Sequence, residues 1–453
     1  MIHPNIIIVI SDTLRNDYFR PELFPKTYAK LFKDGELYQN VISPASWTVP
    51  SHASIFTKQY PSIHKIHKMN GMNDVEILEY AKNKLEFNSF VRTLRSSGYF
   101  TFAYSANPFI SSSSIFSSGF DLFIDSDFQQ LISKGLRDKI EDNVRTDDVL
   151  NFIGKIKLGV RLVSSTLKHS SFKWTRNINI TQDKGEASFN KLINNVSLSQ
   201  PFFLFVNLME MHEPYISSEY GHLLNKSKWS DYFGIKQFSE RERAKIKLIY
   251  SQNTKYIDDT IYEILRFLFQ SNIYNNTMII VTSDHGQAFW EHEFYSHEAF
   301  LYDEIVKVPL LIKYPSNQRL SQNKFENKFF STVDLGGVIQ GWSEGVNEFL
   351  QPRDIVFTES YGFNASSIPN VRLSSEGKKR VLSALLPRKA VYKNGFKLIV
   401  NAKGEIEGLY KNNVKIDHKV SNSICKELYE EINIFAENDP FFVANSLPAW
   451  WQD

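Results

Sequence analysis

Three short runs dominated by β-branched and aromatic residues restrict this chain more than any other feature: Asn5 to Ile10, Pro201 to Leu208 and Asn276 to Thr282. A strand with one wet face alternates polar and apolar residues. These runs do not alternate, so each reads as a strand buried on both faces, as in a parallel sheet covered by helices. Each run also leads into polar groups: Ser11-Asp12-Thr13 after the first, Glu210-Met211-His212 after the second, Ser283-Asp284-His285-Gly286 after the third. The carboxyl ends of parallel strands line the ligand crevice of open α/β sheets, which makes these residues the first candidates for chemistry. Asp12 also has a plainer reading, as the cap of the next turn.

A fourth stretch supplies a nucleophile. In the segment Ser46-Trp47-Thr48-Val49-Pro50-Ser51-His52, Thr48 or Val49 suits a helix N-cap and Pro50 the first turn, while Ala53 to Phe56 continues as a buried face. The Thr48 hydroxyl then lies at the positive end of a helix, where unpaired N–H groups favour an anion such as a phosphate or sulfate ester. Taken alone, the string is also what a plain helix cap looks like.

Elsewhere the chain supports this core. Helical spacing at Phe90, Val91 and Leu94 closes at Gly98 before a strand over 99–105. Asn107-Pro108 then turns the chain at the same sheet edge, which makes Asn107 a candidate substrate contact. The polar stretch 60–73 reads as a loop, with His67 in solvent. Between about 123 and 200 the pattern weakens, and a helical insertion is expected there, with an amphipathic piece over 149–162. Residues 242–269 form an amphipathic helix carrying Ile246, Ile249, Ile257, Ile261 and Ile264 on one side. Beyond Leu386, closely spaced turns at Asn394-Gly395 and Lys403-Gly404 imply a small antiparallel meander. The expected division is a catalytic unit over 1–385 and an antiparallel subdomain with its tail over 386–453.

Composition narrows the function. Lys plus Arg number 52 against 50 for Asp plus Glu, a net charge of +2, so no global field points to nucleic acid or a membrane surface. Cys425 is the single cysteine, which excludes an intrachain disulfide and a multi-cysteine zinc site. Any metal must therefore sit on histidine and carboxylate. No apolar run is long enough to span a bilayer or serve as a signal core, and the expectation is a soluble, cytoplasmic protein. Asp12, Thr48, Asp284 and His285 all fall at element ends that one fold brings together. Such a set suits one divalent cation, its nitrogen favouring Mn²⁺ or Zn²⁺, with Ca²⁺ or Mg²⁺ still open.

The motifs "NIIIVISDTLRNDY", "SWTVPSHASIFTKQYPSIH", "RSSGYFTFAYSANPF", "FFLFVNLMEMHEPY", "VTSDHGQAFWEHEFYSHEAFLYDEIVKVPLLIK" and "KAVYKNGFKLIVNAKGEIEGLY" stand in this order over residues 5 to about 410. In wording and order they resemble the sulfatase family of the alkaline phosphatase superfamily. The resemblance implies an alkaline phosphatase-like α/β sandwich: a large, mostly parallel sheet flanked by helices, plus a small C-terminal antiparallel sheet. It implies Asp12, Asp284 and His285 as metal ligands and Thr48 as nucleophile and ligand. His212 and His297 become the groups that hold the ester or protonate its leaving oxygen.

The chain also departs from the family pattern. Sulfatases carry a cysteine or serine at the Thr48 position, converted to formylglycine and followed by x-Pro-x-Arg; here His52 replaces the arginine and no formylglycine can form. Thr13 stands where a second acid is usual, and His285 where many members carry asparagine. A threonine nucleophile is similar to the phosphoryl-transfer members, and the Asp-His pair to phosphonate monoester hydrolases. The expectation is a metal-dependent hydrolase or transferase of phosphate esters, acting on a small-molecule or glycan substrate through a covalent Thr48 ester. Sulfuric ester hydrolysis without formylglycine, and a silent module that binds anionic glycans, are the alternatives.

Overall fold

The computed structural model describes residues 3–67, 74–85, 87–125, 184–217, 231–235, 237–318, 328–363, 373–417 and 422–442. Most of the expected insertion, including its amphipathic piece at 149–162, lies outside them. Seven strands form the large sheet in the order Glu36–Leu37, Leu310–Lys313, Thr277–Thr282, Asn5–Ser11, Phe202–Leu208, Phe100–Ser105 and Leu122–Asp125. The last five run parallel, whereas Leu310–Lys313 lies antiparallel on Thr277–Thr282. Leu122–Asp125 falls where the insertion was expected to begin; four residues at a sheet edge leave little mark on a hydrophobic pattern.

Both faces of the central strand are dry, as its composition demands. All of Asn5–Ser11 is buried. Ile6, Ile8 and Ile10 share a core with Val49, Ala53, Ile55 and Phe56 of the helix Thr48–Thr57. Ile7 and Val9 share the opposite core with Ile246, Ile257, Ile261 and Ile264 of the helix Glu240–Gln270, which opens on a Ser239/Glu242 capping box.

Register is what carries this packing to the site. Ile10 pairs with Thr282 on one side and with Asn207 on the other. Asp12 and Asp284 each stand two residues past that level, so the strand period of two brings them off neighbouring strands on one face. A one-residue slip of the central strand would turn Asp12 to the other face.

The small sheet is antiparallel throughout, in the order Ile355–Ser360, Arg388–Lys393, Phe396–Asn401, Ile406–Lys411 and Val414–Ile416. Asn394 and Gly395 both take positive φ, 52° and 78°, which suits the two-residue turn between its second and third strands. The helix Asn422–Ala436 covers one face through Cys425, Leu428, Tyr429 and Ile432. The sheet docks beside the Thr48 turn, where Glu359 N–H donates to Pro44 O at 2.9 Å. Lys389, on its second strand, lies in a buried ion cluster with Glu359 and Asp439.

This docking corrects one expectation. His67 is fully buried and stacks on Tyr361 with ring centroids 3.6 Å apart. Tyr361 follows the strand Ile355–Ser360, a partner that no local pattern around residue 67 reveals.

Candidate active site

Thr48 begins its helix. The N-cap is Trp47, in extended conformation and without a side-chain cap bond, so Thr48 is the first helical residue rather than the cap expected from sequence. Its hydroxyl is thereby left for the site. Thr48 Oγ1 donates to Asp12 Oδ2 at 3.2 Å and lies 3.3 Å from His285 Nε2.

Each carboxylate uses one oxygen on protein donors and leaves the other. Asp12 Oδ2 accepts from Thr48 Oγ1 and, at 2.8 Å, from Asn107 Nδ2; Asp12 Oδ1 is buried with no hydrogen-bond partner. Asp284 Oδ1 accepts from His285 N at 2.9 Å and Thr13 N at 3.3 Å, and Asp284 Oδ2 is likewise buried without one. His285 Nδ1–H donates to Gly286 O at 2.9 Å, which fixes the ring. Its Nε2 stands 3.4 Å from Asp284 Oδ2 and 3.8 Å from Asp12 Oδ1.

Two facing carboxylates in a dry site repel. Burial first, and then Asp284, pushes Asp12 up to about 7; burial likewise pushes Asp284 up to about 7. Two orphaned carboxylate oxygens beside a lone-pair nitrogen, with ligand atoms of Asp12, Asp284 and His285 all within 4.8 Å of one another, are the donor set a divalent cation needs. Among the described residues this is the one such group of three.

Around this centre stand the other candidates. His297 lies between His285 and His212, with ring centroids 4.6 and 5.2 Å away. Its Nδ1–H donates to Gln287 Oε1 at 2.7 Å, and His212 Nδ1–H to Glu213 O. Asn107, expected as a substrate contact, stands beside Asp12. Its amide is engaged by Asp12 Oδ2, and its carbonyl accepts from Phe109 N at 2.8 Å, so it orients the carboxylate from a position 2% exposed. His52 is fully buried, donates from Nδ1 to Thr48 O at 2.9 Å and accepts at Nε2 from Asn207 at 3.2 Å; burial pushes its pKa down to about 3. It is a neutral prop beneath Thr48.

Sequence reasoning missed three supports. Gln287 orients His297. Thr13 holds φ at 59°, a conformation costing a β-branched residue about 1–3 kcal/mol. It is secured by Thr13 Oγ1 donating to Met211 O at 2.6 Å and by Tyr250 Oη donating to Thr13 O at 2.8 Å. Lys184, inside the expected insertion, donates from Nζ to the carbonyls of His212 and Pro214. The Asp-His-Gly-Gln string signals Gln287 in retrospect, but nothing local signals Lys184.

Known proteins resemble the chain in sequence and fold. A family model described as Sulfatase matches residues 4–344. The chain is 23% identical over 371 residues to the N-acetylglucosamine-6-sulfatase of Capra hircus, a match covering 74% of this chain but only 59% of that protein's length. It is 21% identical over 426 residues to the choline-sulfatase of Rhizobium meliloti (strain 1021), covering 85% and 79%. Among solved structures it is similar to the phosphonate monoester hydrolase SpPMH from Silicibacter pomeroyi, with a TM-score of 0.63, 14% identity and 99% and 98% coverage. A 2-O GAG sulfatase gives a TM-score of 0.62 at 12% identity, covering 99% and 95%. At such identities the structural likeness establishes the fold.

Proposed function

The chain belongs to the sulfatase family, and from that membership we propose that it is a metal-dependent hydrolase or transferase of phosphate esters, phosphodiesters or phosphonate monoesters preferred, working through a covalent ester on Thr48. One observation carries the reading: an uncapped hydroxyl at the first residue of a buried helix, 3.2 Å from Asp12 Oδ2 and 3.3 Å from His285 Nε2. Asp12, Asp284 and His285, with Thr48, would hold the divalent cation, Mn²⁺ or Zn²⁺ suiting the nitrogen ligand. When bound, it supplies Lewis-acid chemistry, easing loss of the hydroxyl proton and drawing charge from a nonbridging oxygen.

The protein's own groups do the rest. Thr48 Oγ1 forms a bond to phosphorus as the bond to the leaving oxygen breaks, and its proton departs along the contact to Asp12 Oδ2. His212 or His297 protonates the leaving oxygen, their Nδ1 atoms being tied to Glu213 O and Gln287 Oε1. Water, or an acceptor hydroxyl in a transferase, then releases the group from Thr48. Phosphorus is favoured because Thr48 cannot become formylglycine and because neutral His52 stands in the arginine position. The relatives named as sulfatases favour the rival reading, a sulfuric ester hydrolase without formylglycine. Small-molecule or glycan esters are the substrate class in either case, and the cytoplasm is the proposed compartment.

Purified protein and Thr48→Ala, assayed with Mn²⁺ or Zn²⁺ on aryl phosphodiester, phosphonate and sulfate, test this. The expected result is turnover of the phosphorus esters by the wild type alone, with the mass of the retained ester-phosphoryl or phosphonyl group added to the Thr48 peptide. Faster turnover of the aryl sulfate would move the reading to sulfur, and activity surviving in Thr48→Ala would end the covalent mechanism.

A further inference from the structure

His212 sits on a turn whose main-chain carbonyls are held by side chains from three separate parts of the chain. Glu210 O accepts from Asn253 Nδ2 at 3.1 Å, and Met211 O from Thr13 Oγ1 at 2.6 Å. The carbonyl of His212 itself accepts from Lys184 Nζ, as does Pro214 O at 2.9 Å. One ammonium thus clamps the chain on both sides of Glu213, whose own carbonyl holds the His212 ring through Nδ1.

Lys184 is itself built in. Its carbonyl accepts from Met209 N at 3.4 Å, and two residues later Glu186 N donates to Glu210 Oε1 at 2.6 Å. Gly185 between them takes φ of 128°, accepts from Tyr104 Oη at 3.0 Å, and passes so near Ala106 that a Cβ would lie 2.7 Å from the alanine methyl. Only glycine fits that passage. The segment 184–186 is therefore laid along the end of the strand Phe202–Leu208 as a fitted splint, and the amine is the part that reaches the histidine. Burial pushes this amine down to about 8, while Glu210, Asp12 and Glu213 pull it back up and favour its charged, three-proton form.

We propose that Lys184 is a positioning residue for His212: by holding the His212 and Pro214 carbonyls it fixes the imidazole where it protonates the leaving oxygen. The inference rests on the reading of His212 as that acid. It makes Lys184, absent from every motif in the sequence, part of what determines which leaving groups the enzyme expels.

The test is leaving-group dependence, which a merely structural residue would not move. Methyl 4-nitrophenyl phosphate releases an anion that needs little protonation, whereas methyl phenyl phosphate needs much more. With Mn²⁺ present, kcat/KM is compared for wild type, Lys184→Met, Lys184→Arg, His212→Ala and the Lys184→Met/His212→Ala double variant, with melting curves for each. General acid catalysis contributes about 10²–10⁴-fold, so Lys184→Met is expected to lose far more on the phenyl than on the nitrophenyl ester. Lys184→Arg, which keeps charge and donors, is expected to recover the wild-type ratio. The double variant is expected within about threefold of His212→Ala alone. If Lys184→Met does not fold, Lys184→Gln, uncharged but still a donor, answers the same question. Equal losses on both esters for the lysine variants, or full additivity with His212→Ala, would overturn the inference and leave His212 in place. Equal losses for His212→Ala would overturn the acid assignment and the inference with it.

Discussion

Replacing Asp12 by asparagine should stabilise this protein when no metal is present. Asp12 and Asp284 are both pushed up to about 7 from the usual 3.8, by burial and, for Asp12, by its neighbour's charge as well. Between about pH 4 and 7 the folded, metal-free protein then holds protons that the unfolded chain has lost, so stability falls as pH rises through that window. For Asp12 the shift is about three pK units, which at 1.36 kcal/mol each amounts to about 4 kcal/mol at pH 8. The asparagine side chain keeps an acceptor for Thr48 and Asn107 without the charge. Metal-free Asp12→Asn should therefore exceed metal-free wild type by about 2–4 kcal/mol at pH 8, with the gap closing by about pH 4, where both aspartates are protonated. Mn²⁺ at a thousand times its Kd should reverse the order, since it then contributes about 4.1 kcal/mol to wild type and nothing to a protein that cannot bind it. Guanidinium melts at pH 4, 6 and 8, with chelator and with Mn²⁺, measure all three terms. A metal-free variant no more stable than wild type at pH 8, or a gap unchanged at pH 4, would refute the reasoning.

Two further outcomes follow from packing. Gly286→Ala sets a methyl against the Glu304 carbonyl, in a loop already held by Gly286 N–H to Ile305 O at 2.6 Å; displacement of Asp284 and His285 should abolish metal binding, measured by calorimetric titration, with about 2 kcal/mol or more of destabilisation. Lys389→Met leaves Glu359 and Asp439 as two buried carboxylates without their shared cation, and a chemical melt at pH 8 should record a loss of about 3–5 kcal/mol.

What could be read from the chain alone follows from how local each signal is. The strands through Ile6–Ile10, Phe202–Leu208 and Met278–Val281 announce themselves because both their faces are dry, and Asp12, Asp284 and His285 are legible as their continuations. Thr48 is legible from Pro50 two residues on, although its role as first helical residue rather than cap required the backbone of Trp47. Leu122–Asp125 is too short to stand out, and His67 is hidden because its partner Tyr361 lies nearly three hundred residues away. Asn107 shows only that it stands at the sheet edge; whether its amide serves substrate or Asp12 depends on a distance. Lys184 leaves no trace at all, since its partners are carbonyls, which every residue has.

The hydrogen bond from Thr13 to Asp284 joins positions 271 apart, and Thr48 meets His285 across 237. Contacts of that span form only after the intervening chain has closed, and loops so long make closure slow. A nascent chain released before Asp284 already carries Asp12 and Thr48, yet it owns neither the imidazole nor the second carboxylate. Uptake of a cation at this centre would thus mark the arrival of the strand Thr277–Thr282 in the sheet, and would set finished molecules apart from partly folded ones.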